Sequence, residues 1–337
     1  MKKLIVVGKI ILLIAVAVSG YYVGKISHEP ENSLCYYAIK NVIYKHTDST
    51  HQLTLDIYRP QNISSKNSPA IIYFHGGSWV SGDKSKIHQR YRQDALESFI
   101  NNGFIVISVD YRLISSDSVT LKESIEDCRD AINFIVKSGD AFQIDTTKIG
   151  LWGSSAGAHL AISAAVMPDS LLNNSINRNN ISFIIDDFGP MDLTSMLNNL
   201  KTFIKDDAIN TDSMKSNLEI AAKTYSALEY IDNLKSPIII FHGKKDIIVS
   251  ENQSEFLRLA LHNLNKKAYI FRFDDQGHGF NSLSEEQKQF YVNKCINFAI
   301  QANKNHKTHS KTYKKAVKEK SRKSKNKEKR KKLFNKF

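Results

Sequence analysis

The chain has 337 residues, 42% hydrophobic and 24% charged, with a formal net charge of +13. That composition excludes a wholly disordered chain and leaves room for one large domain or two small ones. The charge is concentrated: residues 302–337 hold 16 Lys/Arg against 2 Asp/Glu, while the other 301 residues carry 31 basic and 32 acidic side chains. A domain that reads DNA grooves carries positive charge on its folded surface, so no specific nucleic-acid binding is expected. Cys35, Cys128 and Cys295 form neither CxxC nor Cys/His ligand spacing, and their odd number leaves at least one thiol unbridged. Cys128 and Cys295 fall on helical patterns among apolar neighbours, as core residues do.

The amino terminus reads MKKLIVVGK, then the uncharged run Ile10–Val18, then Ser19 and Gly20. A basic start, a short apolar run and small residues at Ala17 and Ser19 fit an export signal. An uncleaved anchor over Leu4–Gly24 is the rival, interrupted by Lys9; about 20 residues are needed to span a bilayer. Either reading of 1–24 puts the following chain across a membrane, so the expected location is periplasmic, extracellular or membrane-anchored outside the cytoplasm. Residues 25–35 read as a polar linker, 36–301 as the folded domain, and 302–337 as a basic tail too poor in apolar residues to order itself. A tail of that charge is expected to attract an anionic surface or polymer.

Within the domain, Ala38–Tyr44 and Leu53–Tyr58 read as hairpin-like strands, the second with Leu53, Leu55 and Ile57 at period 2. Largely continuous apolar runs follow at Ala70–Phe74, Phe104–Val109, Ile149–Trp152, Phe183–Ile185, Ile238–Phe241 and Tyr269–Phe273. Runs of this kind suit strands of a parallel sheet buried on both faces. Between them lie helical patterns, clearest over Thr120–Ser138. There Leu121, Ile125, Cys128, Ile132 and Ile135 share a stripe, and Glu123, Glu126 and Asp127 lie toward the start, where the helix dipole favours acids. The alternation predicts an α/β, doubly wound, mostly parallel sheet. Residues 190–236 are too long for a simple crossover; with a helical stretch at Ser216–Tyr230, they read as a helical insertion over the carboxyl edge or as a surface elaboration.

The strongest chemical signal is Gly153-Ser154-Ser155-Ala156-Gly157, a G-x-S-x-G between an apolar strand and the helical stretch Ala158–Val166. Small residues around Ser155 permit a tight turn that lifts its hydroxyl above the sheet, and Ala156 offers a backbone N–H toward a developing oxyanion. After strand Ala70–Phe74 comes His75-Gly76-Gly77-Ser78-Trp79, where Gly76 and Gly77 let the backbone approach a carbonyl closely. A nucleophilic serine needs a base and an orienting acid. His278 in QGHGF and Asp246 in HGKKD both follow strands, at the edge where α/β active sites assemble. The chain order Ser155, Asp246, His278 is nucleophile, acid, base. Asp274 and Asp275 are rival acids on the histidine's own loop. His75 and His242 read as structural loop residues, His88, His159 and His262 as packing or surface residues, and the other histidines as surface or linker positions.

From about Leu53 to Ala299 the chain resembles α/β-hydrolases of the carboxylesterase/hormone-sensitive-lipase-like group, nearest to bacterial feruloyl and acetyl esterase-like enzymes. LDIYRP, HGGSW with SGDK, VDYRL, GSSAG, FGPMDL, HGKKD and GHGF carry the likeness. The resemblance implies Ser155 as nucleophile, His278 as base, Asp246 as its partner, and Gly76, Gly77 and Ala156 as oxyanion donors. It also implies a small-molecule ester substrate, acetyl or aromatic acyl groups on carbohydrate among them, and no cofactor or metal. Related lipases often carry a third glycine where this chain has Ser78. An exported peptidase of the same fold and an inactive binding protein are the rival functions.

Overall fold

The computed structural model describes residues 36–61, 67–114, 119–201 and 212–306. The leader 1–24, the linker 25–35 and the tail from residue 307 lie outside them. Eight strands form one sheet: β1 (Tyr36–His46), β2 (Gln52–Pro60), β3 (Ser68–Phe74), β4 (Ile105–Val109), β5 (Ile144–Ser154), β6 (Ile181–Asp187), β7 (Ile238–Gly243) and β8 (Ala268–Phe273). Their spatial order is β1-β2-β4-β3-β5-β6-β7-β8; the β1/β2 and β2/β4 pairs are antiparallel and the remaining pairs parallel. Each apolar run read as a strand lies in or across one of these elements.

Helices α1 (Tyr91–Asn101), α2 (Leu121–Ser138), α3 (Ala156–Val166), α4 (Leu193–Lys201), α5 (Asp212–Tyr225), α6 (Asn252–Asn263) and α7 (285–306) complete the fold. Along β3, Ala70, Ile72 and Phe74 join one core, with α2, α3 and α6, while Ile71 and Tyr73 join a second with α1 and α7. Burial of both faces explains why the parallel strands read as unbroken apolar runs. All five stripe residues of α2 are buried, and Thr120 and Glu123 close a capping box at its start. The dipole accounts only for Glu123. Glu126 and Asp127 lie beyond the first turn, and Asp127 is wholly buried, accepting two 2.8 Å hydrogen bonds from the Arg112 guanidinium and one of 2.6 Å from Lys45.

Three boundaries differ from the sequence reading. Within 190–236 the helix expected at Ser216–Tyr230 starts earlier and stops at Tyr225. Ser226 ends it: its hydroxyl donates to the Ala222 carbonyl and accepts the backbone N–H of Leu193, tying the end of α5 to the start of α4. Helix α4 itself had no periodic signal strong enough to place it; Asp192 caps it, accepting the N–H groups of Thr194 and Ser195. At the carboxyl end α7 runs through residue 306 rather than ending at 301, because Ala302 extends its buried stripe after Ala299. His306 donates to the Asn179 carbonyl at 2.8 Å.

Candidate active site

The turn from β5 into α3 places Ser155 at φ 54, ψ −121, a sparsely populated positive-φ conformation that costs a non-glycine residue roughly 1–3 kcal/mol. Close packing on both sides holds it there. A Cβ on Gly157 would lie 2.0 Å from the Phe74 carbonyl oxygen, and one on Gly153 would lie 2.2 Å from the Gly157 oxygen. The Ser155 N–H donates to the Asp187 carbonyl at 2.8 Å, pinning the turn to the end of β6. The hydroxyl is thereby presented at the carboxyl edge of the sheet.

The loops after β7 and β8 bring the other two residues to it. Ser155 donates its hydroxyl proton to His278 Nε2 at 2.9 Å, and His278 Nδ1–H donates to Asp246 Oδ2 at 2.7 Å. The carboxylate can only accept, so it fixes the tautomer that leaves Nε2 free to receive a proton. Asp246 Oδ1 accepts the backbone N–H groups of Ile248 and Val249, each at 2.9 Å. Burial alone would raise the Asp246 pKa, but the hydrogen bonds from His242 and His278 outweigh it and hold the carboxyl well below its ordinary range. His242 is buried and structural: it donates from Nε2 to the Val249 carbonyl and accepts from Ser254 at Nδ1. The rival acids point elsewhere, Asp274 to Lys244 and Asp275 to Gln287.

Gly76 lies against Ser155; a Cβ there would be 3.3 Å from the Ser155 Cβ. Gly77 has φ 138, and its carbonyl accepts the N–H groups of Val80 and Ser81. Ser78 and Trp79 follow at φ 52 and 63, so this chain takes up left-handed backbone at two non-glycine positions. Among the described residues, the N–H groups of Gly76 and Gly77 donate to no backbone carbonyl, while Ala156 opens α3 beside Ser155. The three residues expected to donate to an oxyanion thus lie in the loop after β3 and at the first position of α3.

Sequence reasoning missed the residues that hold this loop. Tyr111, noted only within VDYRL, donates its hydroxyl to the His75 carbonyl at 2.6 Å and stacks on the His75 ring at 4.3 Å. Burial lowers the His75 pKa to about 4, so the imidazole is neutral. Ile114 N–H reaches the Trp79 carbonyl at 2.8 Å. Asp187 was missed as well: its wholly buried carboxylate accepts from Trp152, Tyr91, Tyr291 and Ser154. Burial pushes its pKa up to about 6 against the lowering effect of those hydrogen bonds. The insertion docks on α3, where His159 Nε2–H donates to the Tyr225 carbonyl at 2.7 Å.

The sequence profile of the BD-FAE family matches residues 55–261, and that of the dienelactone hydrolase family matches residues 218–329. The chain is 34% identical over 110 residues to a probable isoprenylcysteine alpha-carbonyl methylesterase of Oryza sativa subsp. japonica, covering 33% of this chain and 25% of that protein. It is 30% identical over 119 residues to an arylesterase of Saccharolobus solfataricus, covering 35% and 36%. The matches thus span about a third or less of these two relatives. The propionate-bound Est2 esterase of Thermogutta terrifontis shares the fold, with a TM-score of 0.63 at 23% identity over 77% of this chain and 93% of that one. Because the BD-FAE match covers more than half of the chain, running from β2 into α6 through the HGGSW loop, the elbow and Asp246, the chain belongs to the BD-FAE family and has the α/β-hydrolase fold.

Proposed function

We propose that the chain is a serine esterase acting on small carboxylic esters, with Ser155 as nucleophile, His278 as base and Asp246 as its orienting acid. The observation that carries this reading is the unbroken hydrogen-bond line from Ser155 Oγ through His278 to Asp246, at 2.9 and 2.7 Å. His278 takes the Ser155 proton as Oγ attacks the ester carbonyl carbon, and the N–H groups of Gly76, Gly77 and Ala156 stabilise the oxyanion. Collapse breaks the bond to the alcohol oxygen, which leaves with the proton from His278. Water then attacks the acyl-enzyme, giving its proton to His278, and the acid departs as Ser155 recovers its proton. The names of the methylesterase and arylesterase relatives support ester substrates. Acetyl and feruloyl-type esters on carbohydrate are the proposed natural substrates, reached after export by the 1–24 leader.

Turnover of a small aryl acetate tests the assignment. Ser155→Ala should abolish it with folding intact, while Ser154→Ala should leave measurable activity. Labelling of Ser155→Ala by a serine-directed phosphonate would show that another residue is the nucleophile. The tail is proposed to hold anionic polymers. Because α7 continues to 306, the informative truncation removes 307–337. It should leave soluble-ester turnover unchanged and abolish salt-sensitive retention on anionic vesicles, since such attraction is screened over about 8 Å at physiological salt. Equal retention of both proteins at low salt would clear the tail of that role.

A further inference from the structure

Resting on the triad read above, we propose that Phe188 is a positioning residue that sets the plane of the His278 ring, and that Asp187-Phe188-Gly189 links nucleophile and base as one rigid piece. The two hydrogen bonds at Nδ1 and Nε2 fix the imidazole along the line through its nitrogens. They restrain rotation about that line only loosely, so packing decides the ring plane. The Phe188 ring meets the His278 ring edge-to-face at 4.9 Å and 67°, and meets Phe280, two residues further along the same loop, at 4.7 Å and 82°. The histidine loop therefore grips one phenylalanine with both rings.

Phe188 is 2% exposed and adopts φ 47, a conformation a bulky side chain rarely takes. One backbone bond and one side-chain bond hold it: Phe188 N–H donates to the Phe241 carbonyl and Gly189 N–H to the Asp186 carboxyl Oδ1, each at 2.8 Å. One residue earlier, the Asp187 carbonyl takes the Ser155 N–H. A single turn at the end of β6 thus touches the nucleophile through its backbone and the base through a side chain. Strain stored in such a place is accounted for when the strained residue sets the geometry of its neighbours.

The test compares Phe188→Leu with Phe280→Leu. Both remove a ring from the same cluster, but only Phe188 is in ring contact with His278. Phe188→Leu is expected to lower kcat for a small aryl acetate by about 10- to 100-fold, with KM within about twofold, as slight misplacement of a reacting group does. Its kcat should keep rising in alkaline buffer, where hydroxide substitutes for a misaligned base and the parent enzyme is level. Phe280→Leu should lower Tm comparably and keep kcat. The proposal is overturned if folded Phe188→Leu keeps the parent kcat, or if Phe280→Leu loses as much. It is also overturned if neither Phe188→Leu nor Phe188→Met folds, which would make Phe188 a core residue only. Ser155→Ala measured alongside separates the two levels: residual turnover there removes the triad reading itself, whereas an inactive Ser155→Ala beside a fully active Phe188→Leu removes only this inference.

Discussion

The elbow at Ser155 and the loop at His75–Trp79 flank the same reaction centre, and both are strained, but they are held by different means. The elbow has one left-handed non-glycine residue, kept in place by the mutual approach of Gly153 and Gly157 and by the end of β3 beneath them. The loop has three successive positive φ values, at Gly77, Ser78 and Trp79, and is held from outside by Tyr111 and Ile114 on the chain after β4. Strain contained within five residues leaves a motif in the sequence. Strain held by a distant tyrosine and backbone N–H leaves no sign of those partners in the loop's own residues.

Three changes probe that difference. The largest effect belongs to Gly157→Ala, whose added methyl would sit 2.0 Å from the Phe74 carbonyl oxygen, a backbone atom that cannot step aside. A loss of about 4 kcal/mol or more, or failure to fold, is expected from urea titration. A folded variant with parent stability would show that the elbow is less confined than the packing implies.

The second concerns Asp187, beneath the elbow. Its carboxyl has an ordinary value of 3.8 and rises to about 6 in the fold, so folding favours its protonated form. This contribution, about 3 kcal/mol, is fully present below the unfolded value and is lost as pH rises through about 6. Asp246, whose pKa is lowered, acts in the opposite sense: its stabilisation is present above 3.8 and fades as pH falls. Asp187→Asn should therefore gain about 3 kcal/mol relative to the parent between about pH 4 and about pH 7.5. Parallel urea midpoints for parent and variant across that range would contradict it.

The smallest effect is expected from Tyr111→Phe, which leaves the ring stacked on His75 but deprives a buried carbonyl of its donor. A cost of about 1–3 kcal/mol follows, and kcat should fall while KM holds, because the displaced carbonyl lies next to Gly76. An unchanged kcat would mean that the loop keeps its shape without help from beyond β4.

Much of this was legible in the sequence because it depends on short-range pattern. Six strands show as apolar runs and two as a hairpin-like pair, α2 shows as a stripe with acids toward its start, and Ser155, Asp246 and His278 each follow a strand in small-residue surroundings. What stayed hidden depends on partners distant in the chain. Asp187 reads as one acid ending a strand, yet its donors come from β5, α1 and α7. Phe188 stands in the sequence only as the first letter of FGPMDL, and its contact with the His278 ring appears once the two loops are folded together. Helix α5 stops at Tyr225 through a serine that answers Leu193, 33 positions away. Periodicity cannot report such pairings, because each half is ordinary by itself.

The direction of the strands has a consequence for how the molecule faces its surroundings. β1 runs parallel to β4, since each is antiparallel to β2, so the chain enters the sheet at Tyr36 on the amino edge. At the other end His306 lies against Asn179, just before β6 begins, on that same edge. Ser155, Asp246 and His278 stand at the opposite, carboxyl edge. Both ends of the described domain therefore leave from the base of the sheet, so an attachment at either end would leave the mouth on the opposite side clear of it.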